Sequence, residues 1–309
     1  MAVSRRRLFR AGQWIFAALV LFFAFAALAG QWNQVGARLL HIQFGWEHIV
    51  PATVLILLTY ALLIEGWRRI LSGWDSHLPF RPAARIWFLS NLGKYVPGNI
   101  WSLTAMSVMA RERGISGIAA AGSSIIMQAV SLVTGTAIVM VTSAKLLGQP
   151  LLVGAAVMLL VIGLVTAPRF LPRLAVWAGN LSGREIATPN IPATGIWSAA
   201  IASTASWILY GLAFQLFARG LLGSAAGEMS SYIAVYTAAY ILGFISPIAP
   251  AGLGVREITL AAFMTQLGLA NEADAALVAI AARLWLTVAE LVPSGLYIAF
   301  SASRKSLPD

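Results

Sequence analysis

Eight runs of mostly apolar residues constrain this chain more than any other feature, because a membrane-spanning helix needs about 20 such residues. The runs cover residues 12–31, 49–67, 116–144, 150–167, 195–218, 231–246, 256–269 and 275–300. In the whole chain 59% of residues are hydrophobic and 10% are charged, whereas soluble domains have roughly 45–50% and about 25%. Too few charged groups remain to cover a water-soluble surface. The sequence therefore predicts an all-α polytopic membrane protein, with residues 1–309 as a single integral membrane domain.

The apolar stretch 86–110 differs from these runs, because polar and helix-breaking residues interrupt it. They are Asn91, Lys94, Pro97, Gly98 and Asn99. We expect this stretch to enter and leave the membrane on one side, as a broken hairpin. The positive-inside rule favours that choice, since most of the 21 Lys and Arg residues then lie in the cytoplasm together with both termini. The prediction is a multi-pass protein of the inner, cytoplasmic membrane.

The same orientation explains the formal net charge of +10. Basic residues at the cytoplasmic face meet anionic headgroups, so we expect no nucleic-acid partner. The chain has no cysteine, which excludes disulfides and thiolate metal sites. The three histidines are scattered, and the one loose cluster is His41, Glu47 and His48. We therefore predict no metal and no other cofactor.

The N-terminus also has features of a cleavable signal peptide. Basic residues from Arg5 to Arg10 precede an apolar run, and the small-residue triplet 27–29 follows. The apolar run of about 20 residues is longer than the roughly 7–15 residues usual in a signal peptide. We therefore interpret it as a membrane span, and cleavage would leave the later topology unchanged.

Two segments, 90–101 and 246–257, break apolar runs with proline and glycine, and each carries a cation. Proline removes a backbone donor and glycine permits a sharp reversal. Non-helical backbone at membrane depth persists only where protein buries it or it lines a polar cavity. A pair of such segments, one in each half of a chain, indicates a transporter's binding site. Ordinary interfacial loops or kinks are the alternative.

Ionisable residues inside a span usually face an interior cavity. The last run carries such residues on one helical stripe, formed by Arg283, Thr287, Glu290 and Ser294. An ion pair between helices and a role facing the substrate both fit this stripe. Glu65 lies at a span end, and pairing with Arg68 and Arg69 explains it.

Two other stripes follow helical spacing but indicate a function less strongly. The third run carries Ser124, Gln128, Ser131 and Gly135, and the sixth carries Tyr232, Tyr236 and Tyr240. Close helix packing is the simpler interpretation of the small residues. Aromatic packing explains the tyrosines at least as well as a polar path does.

The chain resembles the flippase-like membrane domain of the lysylphosphatidylglycerol synthase family, an otherwise uncharacterised integral membrane family, over nearly its whole length. The resemblance rests on Gly-Lys-Tyr-Val-Pro-Gly-Asn-Ile-Trp at 93–101 and Pro-Ala-Gly-Leu-Gly-Val-Arg-Glu at 250–257. Ala251 stands where many members have a second glycine. The resemblance implies lipid translocation between leaflets, or a supporting role in polar-lipid or glycolipid pathways. Full-length synthases add a soluble catalytic domain, whose activity we do not expect in a chain that ends at Asp309.

We therefore predict a flippase that moves an anionic phospholipid or a polyprenyl-linked glycolipid through a cation-lined groove. The predicted substrate-binding residues are Lys94, Tyr95, Pro97, Gly98, Asn99, Pro250, Gly252, Gly254, Arg256, Glu257, Arg283 and Glu290. Within this set the three cations would hold phosphate or carboxylate, and the two glutamates would serve as counter-ions or proton-coupling groups.

The alternatives are a non-catalytic membrane scaffold and a membrane-embedded enzyme of a glycolipid or cell-envelope pathway. An enzyme would need a carboxylate pair, a metal site or a phosphate-handling histidine, and we recognise no such set, so we predict no catalytic residues. The expected partner is a membrane lipid. A second copy of the chain or an enzyme of a lipid pathway is a possible further partner.

Overall fold

The structure is a computed structural model that describes residues 44–95, 100–144, 148–182, 193–246 and 250–303. These residues are almost entirely helical and include no strand, which confirms the all-α prediction. The helices are α1 (Trp46–Leu71), α2 (Phe80–Asn91), α3 (Trp101–Arg111), α4 (Gly117–Thr142), α5 (Pro150–Ser182), α6 (Ala193–Leu222), α7 (Met229–Ile245), α8 (Val255–Gln266) and α9 (Glu272–Ser303). The predicted first span, 12–31, and both termini lie outside the described residues.

Helix length separates the spanning helices from the others. Five helices, α1, α4, α5, α6 and α9, are long and apolar enough to cross a membrane. They contain the predicted runs 49–67, 116–144, 150–167, 195–218 and 275–300, which confirms a polytopic membrane protein. The run 231–246 forms α7, with 17 residues. The run 256–269 differs from a span, because α8 has 12 residues and reaches only about 18 Å at 1.5 Å per residue.

Four short helices form two hairpins. In the first hairpin, residues 80–111, α2 packs against α3, and the short 3-10 helix Leu92–Tyr95 lies at the tip. In the second hairpin, residues 229–266, α7 packs against α8, and the 3-10 helix Pro250–Gly252 lies at the tip. The two tips contact each other, where Tyr95 packs against Ala251. Both broken segments of the sequence thus meet at one place.

Glycine makes each tip possible. A Cβ atom on Gly93 would lie 2.5 Å from the backbone nitrogen of Ser102, at the start of α3. A Cβ atom on Gly252 would lie 2.9 Å from the carbonyl oxygen of Gly243, and its φ of +69° is in the left-handed region. In that region the Cβ atom of any other residue clashes with the backbone, whereas glycine has no Cβ atom. The close approach of backbone segments therefore fixes the shape of both tips.

The long helices pack together around the tips. Helix α1 packs along α6, and Trp67 on α1 donates its indole N–H to Ser123 Oγ on α4 at 2.9 Å. Trp285 on α9 donates to Thr53 Oγ1 at 2.9 Å and stacks on Phe217. Buried indole groups need such partners, since hydrocarbon offers none. These contacts hold α4 and α9 beside the two hairpin tips.

Candidate functional site

A cavity of about 400 Å³ lies where the two hairpin tips meet α1, α4 and α9. Its walls are mixed, with aromatic and aliphatic side chains beside eight side chains that carry a hydroxyl or amide group. These are Ser90, Asn91, Ser102, Ser124, Gln128, Ser131, Tyr240 and Ser246. The size falls within the roughly 300–1,000 Å³ typical of small-molecule sites. The cavity can therefore accept a polar headgroup.

Three cationic side chains line this cavity from three different elements. Lys94 comes from the first tip, Arg256 from the start of α8 and Arg283 from α9. Long-range packing is needed to bring them together, because they are far apart in the sequence. Their surroundings differ, and the differences decide which charge is available to a ligand.

Lys94 is held by a carboxylate of α9. Its Nζ atom donates to Glu290 Oε1 at 2.6 Å. The Tyr95 hydroxyl donates to Glu290 Oε2 at 3.0 Å, and the Tyr60 hydroxyl approaches Oε1 at 3.5 Å. The Glu290 side chain is 13% exposed. A buried carboxylate with this many donors is well satisfied, so Lys94 and Glu290 form a closed ion pair between the first tip and α9.

Arg283 joins α9 to the second tip. Its Nη1 donates to the Ala251 carbonyl at 3.0 Å and lies 3.6 Å from Glu257 Oε1. Glu257 Oε2 in turn accepts from the Gly254 N–H at 2.7 Å, which satisfies a free donor at the start of α8. The Arg283 side chain is 9% exposed, yet its Nη2 has no hydrogen-bond partner among the described residues. Arg283 thus forms the ion pair between helices that one interpretation of the stripe predicted, and it also lines the cavity.

Arg256 is in contact with aromatic rings. Its guanidinium carbon lies 5.0 Å from the ring centre of Tyr236 and 5.1 Å from that of Tyr240. No carboxylate in the described part of the chain forms an ion pair with it. Cation–π contact stabilises a guanidinium without cancelling its charge. Arg256 therefore carries its charge into the cavity.

The other predicted residues fall into three groups. Pro97, Gly98 and Asn99 lie outside the described residues. Pro250, Gly252 and Gly254 build the backbone of the second tip. Thr287 and Ser294 bond to backbone carbonyls one turn earlier on α9, at Arg283 and Glu290.

Glu65 has a local explanation outside the cavity. Its carboxylate accepts from Arg69 at 2.7 Å and lies 3.2 Å from Arg68. The sequence predicted this pairing from the spacing of the three residues, and the structure confirms it.

The polar stripe of α4 serves both interpretations of its spacing. Ser124, Gln128 and Ser131 line the cavity. Helix packing occurs at the same stripe, since the Trp207 indole N–H donates to the Ser131 carbonyl at 3.0 Å and a Cβ on Gly135 would lie 2.9 Å from Trp207. The sequence signal for the lining was a row of polar side chains in an apolar span. In the tyrosine stripe, two of the three rings, those of Tyr236 and Tyr240, contact Arg256.

The histidine cluster is only partly described. His41 lies outside the described residues, and His48 Nδ1 lies 3.2 Å from Glu47 Oε1. No group of three His, Cys, Asp or Glu side chains that could hold a metal ion occurs in the part of the chain that the structure describes. The cations and polar groups of the cavity therefore remain the candidate site.

A model of a known protein family matches most of the chain. The model of the family described as the lysylphosphatidylglycerol synthase transmembrane region matches residues 11–292, which confirms the resemblance noted at the two motifs. No curated protein matched the sequence. The family match supports a membrane-lipid-related role.

Proposed function

We propose, from the premise that the chain belongs to the lysylphosphatidylglycerol synthase transmembrane family, that it moves an anionic lipid between membrane leaflets. The observation that carries the proposal is the convergence of Arg256, Arg283 and the Lys94–Glu290 ion pair at one cavity where two broken hairpins meet, because the two arginines keep charge that this pair does not cancel. The headgroup would occupy the cavity while the hydrocarbon chains stay in the bilayer.

The chemistry of the cavity suits this task. A charged headgroup crossing hydrocarbon alone loses its hydration at a large cost. Guanidinium groups replace part of that hydration, because they donate charge-assisted hydrogen bonds to phosphate oxygens. The hydroxyl and amide groups of α2, α3 and α4 supply further partners. A polar path inside the bundle lowers the barrier to exchange.

The hairpins supply the two sides of the path. We propose that both are re-entrant and enter from opposite faces of the membrane. The open ends of the first hairpin carry basic residues, including Arg81, Arg111 and Arg113. The open ends of the second lie beside acidic residues, Glu228 and Glu272. The positive-inside rule then places the first hairpin on the cytoplasmic face, in the inner membrane. Small movements of either tip would open the cavity to one side at a time.

We also propose that the lipid leaves chemically unchanged, so that the protein acts as a transporter and not as an enzyme. Vesicles containing the purified protein and an anionic phospholipid should return that lipid with its original mass. New lipid species that appear only with the protein would favour the membrane-embedded enzyme.

The main test is lipid exchange in vesicles. A fluorescent phosphatidylglycerol placed in one leaflet should reach the other faster when the protein is present. Arg256→Ala should slow the protein-dependent rate about tenfold or more, the effect of losing one charge-assisted hydrogen bond.

Arg113→Ala is the matched control, because Arg113 is an exposed arginine outside the cavity. Its exchange rate should equal that of the unchanged protein. Equal exchange with and without protein would contradict the proposal and favour the scaffold.

A further inference from the structure

We infer that the cavity selects its ligand by charge and takes a headgroup with one net negative charge, a phosphodiester. The inference rests on the proposed function, because it names the class of lipid that the same cavity would carry. It separates two groups of anionic lipid. Phospholipids whose only headgroup charge is a single phosphodiester fit, whereas zwitterionic headgroups have no net charge and lipids with a diphosphate or a terminal phosphomonoester carry an extra negative charge.

The charges around the cavity can be counted. Lys94, Arg256 and Arg283 contribute three positive charges, and Glu257 and Glu290 contribute two negative ones, so 3 − 2 = +1 remains. The Lys94–Glu290 pair adds nothing to this sum whichever partner holds the proton. The adjoining segments 96–99 and 247–249 contain no ionisable side chain in the sequence. Among the described residues, the surplus charge resides with the two arginines and Glu257.

Hydrogen-bond donors are available at the same place. Arg283 Nη2 is buried without a hydrogen-bond partner among the described residues, in a side chain that is 9% exposed and lines the cavity. Arg256 lines the same cavity and forms no ion pair with a carboxylate of the described residues. A phosphodiester has two non-bridging oxygens that accept such bonds. One phosphodiester can thus supply the hydrogen-bond partner that Arg283 Nη2 lacks among the described residues.

Net charge matters here because water is largely excluded. A charge without a partner is costly in a low-dielectric interior, and a paired one is much less so. One phosphodiester brings the sum to zero. A zwitterionic headgroup leaves a positive charge, and a doubly charged headgroup leaves a negative one. The cavity should therefore prefer the singly charged headgroup to both.

Binding measurements in detergent test the preference directly. The probes are short-chain phosphatidylglycerol, phosphatidylcholine and phosphatidic acid, at about pH 9, where a phosphomonoester carries close to two negative charges. Native mass spectrometry or calorimetry gives the dissociation constants. Phosphatidylglycerol should bind about tenfold tighter than either of the others. Equal binding of the three probes would overturn the inference.

Three variants separate net charge from a single contact. Glu257→Gln keeps an oxygen for the Gly254 N–H and raises the sum to two positive charges, so phosphatidic acid should become the preferred probe. Arg256→Gln lowers the sum to zero, so phosphatidylcholine should become the preferred probe. The double variant restores one positive charge, and phosphatidylglycerol should again be preferred, although more weakly bound. The inference would be overturned if the double variant bound the three probes in the same order of affinity as Arg256→Gln.

Glu65→Gln is the control, because it removes a carboxylate outside the cavity that pairs with Arg68 and Arg69. Its order of preference should match the unchanged protein, and melting temperatures should show that each variant is folded. A change of preference in Glu65→Gln would overturn the assignment to the cavity.

A water-soluble glycerol phosphodiester without acyl chains distinguishes a lipid from a free anion. It should bind more weakly than the lipid, and equal binding would overturn the lipid assignment. Charge preference without exchange in vesicles would refute only the proposed translocation, and exchange without charge preference would refute only this inference.

Discussion

The first hairpin brings its cation to a carboxylate, whereas the second brings its cation to aromatic rings. Lys94 donates to Glu290 at 2.6 Å, and Arg256 lies between Tyr236 and Tyr240. The partner helix α9 presents opposite charges to the two tips. Glu290 meets the first tip, and Arg283 meets the second through the Ala251 carbonyl and Glu257.

This difference assigns different tasks to the two hairpins. The cation of the first tip is used in holding that tip against α9, with Tyr95 adding a second bond to Glu290. The cation of the second tip is oriented by its ring contacts and keeps its charge. We therefore expect changes at Lys94 to affect stability most, and changes at Arg256 to affect lipid binding most.

The largest expected effect on stability comes from Lys94→Met. It removes the ammonium group and leaves Glu290 buried with its hydroxyl partners alone. Breaking a buried ion pair costs about 3–5 kcal/mol, and we expect about 3 kcal/mol because the Lys94 side chain keeps 30% exposure. Thermal unfolding in detergent measures the change. The double variant Lys94→Met/Glu290→Gln should recover most of the loss, and a double variant as unstable as the single one would refute the pairing.

Gly252→Ala should have the next largest effect, at about 2–3 kcal/mol. A left-handed alanine costs about 1–2 kcal/mol, and its Cβ would also lie 2.9 Å from the Gly243 carbonyl oxygen. Gly268→Ala is the matched comparison, since its φ of +65° is similar but open space surrounds its Cβ position. It should lose only the conformational part. Equal losses of melting temperature would show that the tip is looser than described.

Tyr95→Phe should cost about 1.5–2 kcal/mol, because a hydrogen bond to a charged group contributes about 1.5–3 kcal/mol. It removes the 3.0 Å bond to Glu290 but keeps the ring against Ala251. Thermal unfolding in detergent measures it. A loss at Tyr95 as large as that of Lys94→Met would mean that the hydroxyl, and not the ammonium, holds the tip.

The smallest effect should come from Ala251→Gly. Ala251 has a φ of +52°, so glycine relieves about 1–2 kcal/mol of strain but gains flexibility in the unfolded chain, worth about 0.5–1 kcal/mol. The melting temperature should rise slightly, and lipid exchange should stay the same. A clear fall in the melting temperature would contradict the assigned backbone of the second tip.

The sequence was sufficient to predict five of the eight proposed spans, the two broken segments and the polar stripe of α9. Apolar length, proline, glycine and helical spacing are local properties, so they can be read without knowing which helices touch. The short helix α8 was harder, because its apolar run, 256–269, continues beyond the end of the helix at Gln266 and through a turn in which Gly268 has a positive φ. Composition alone did not distinguish such a run from a span.

The pairings could not be predicted, because they depend on tertiary contacts. Lys94 and Glu290 are 196 residues apart, and no local pattern distinguishes this pair from one between Arg256 and Glu290. The polar stripe of α4 could be recognised in the sequence, but its spacing fits helix packing and cavity lining equally well. Only the position of the hairpin tips decides which faces of α4 and α9 border the cavity.

The most direct test of the division between the hairpins is the exchange rate of labelled phosphatidylglycerol in vesicles, measured for Arg256→Gln and for Lys94→Met/Glu290→Gln. The account predicts that Arg256→Gln loses about tenfold in rate with its melting temperature nearly unchanged. The double variant, which removes only the neutral pair, should keep most of its rate. Normal exchange by Arg256→Gln, together with loss in a folded double variant, would contradict the account.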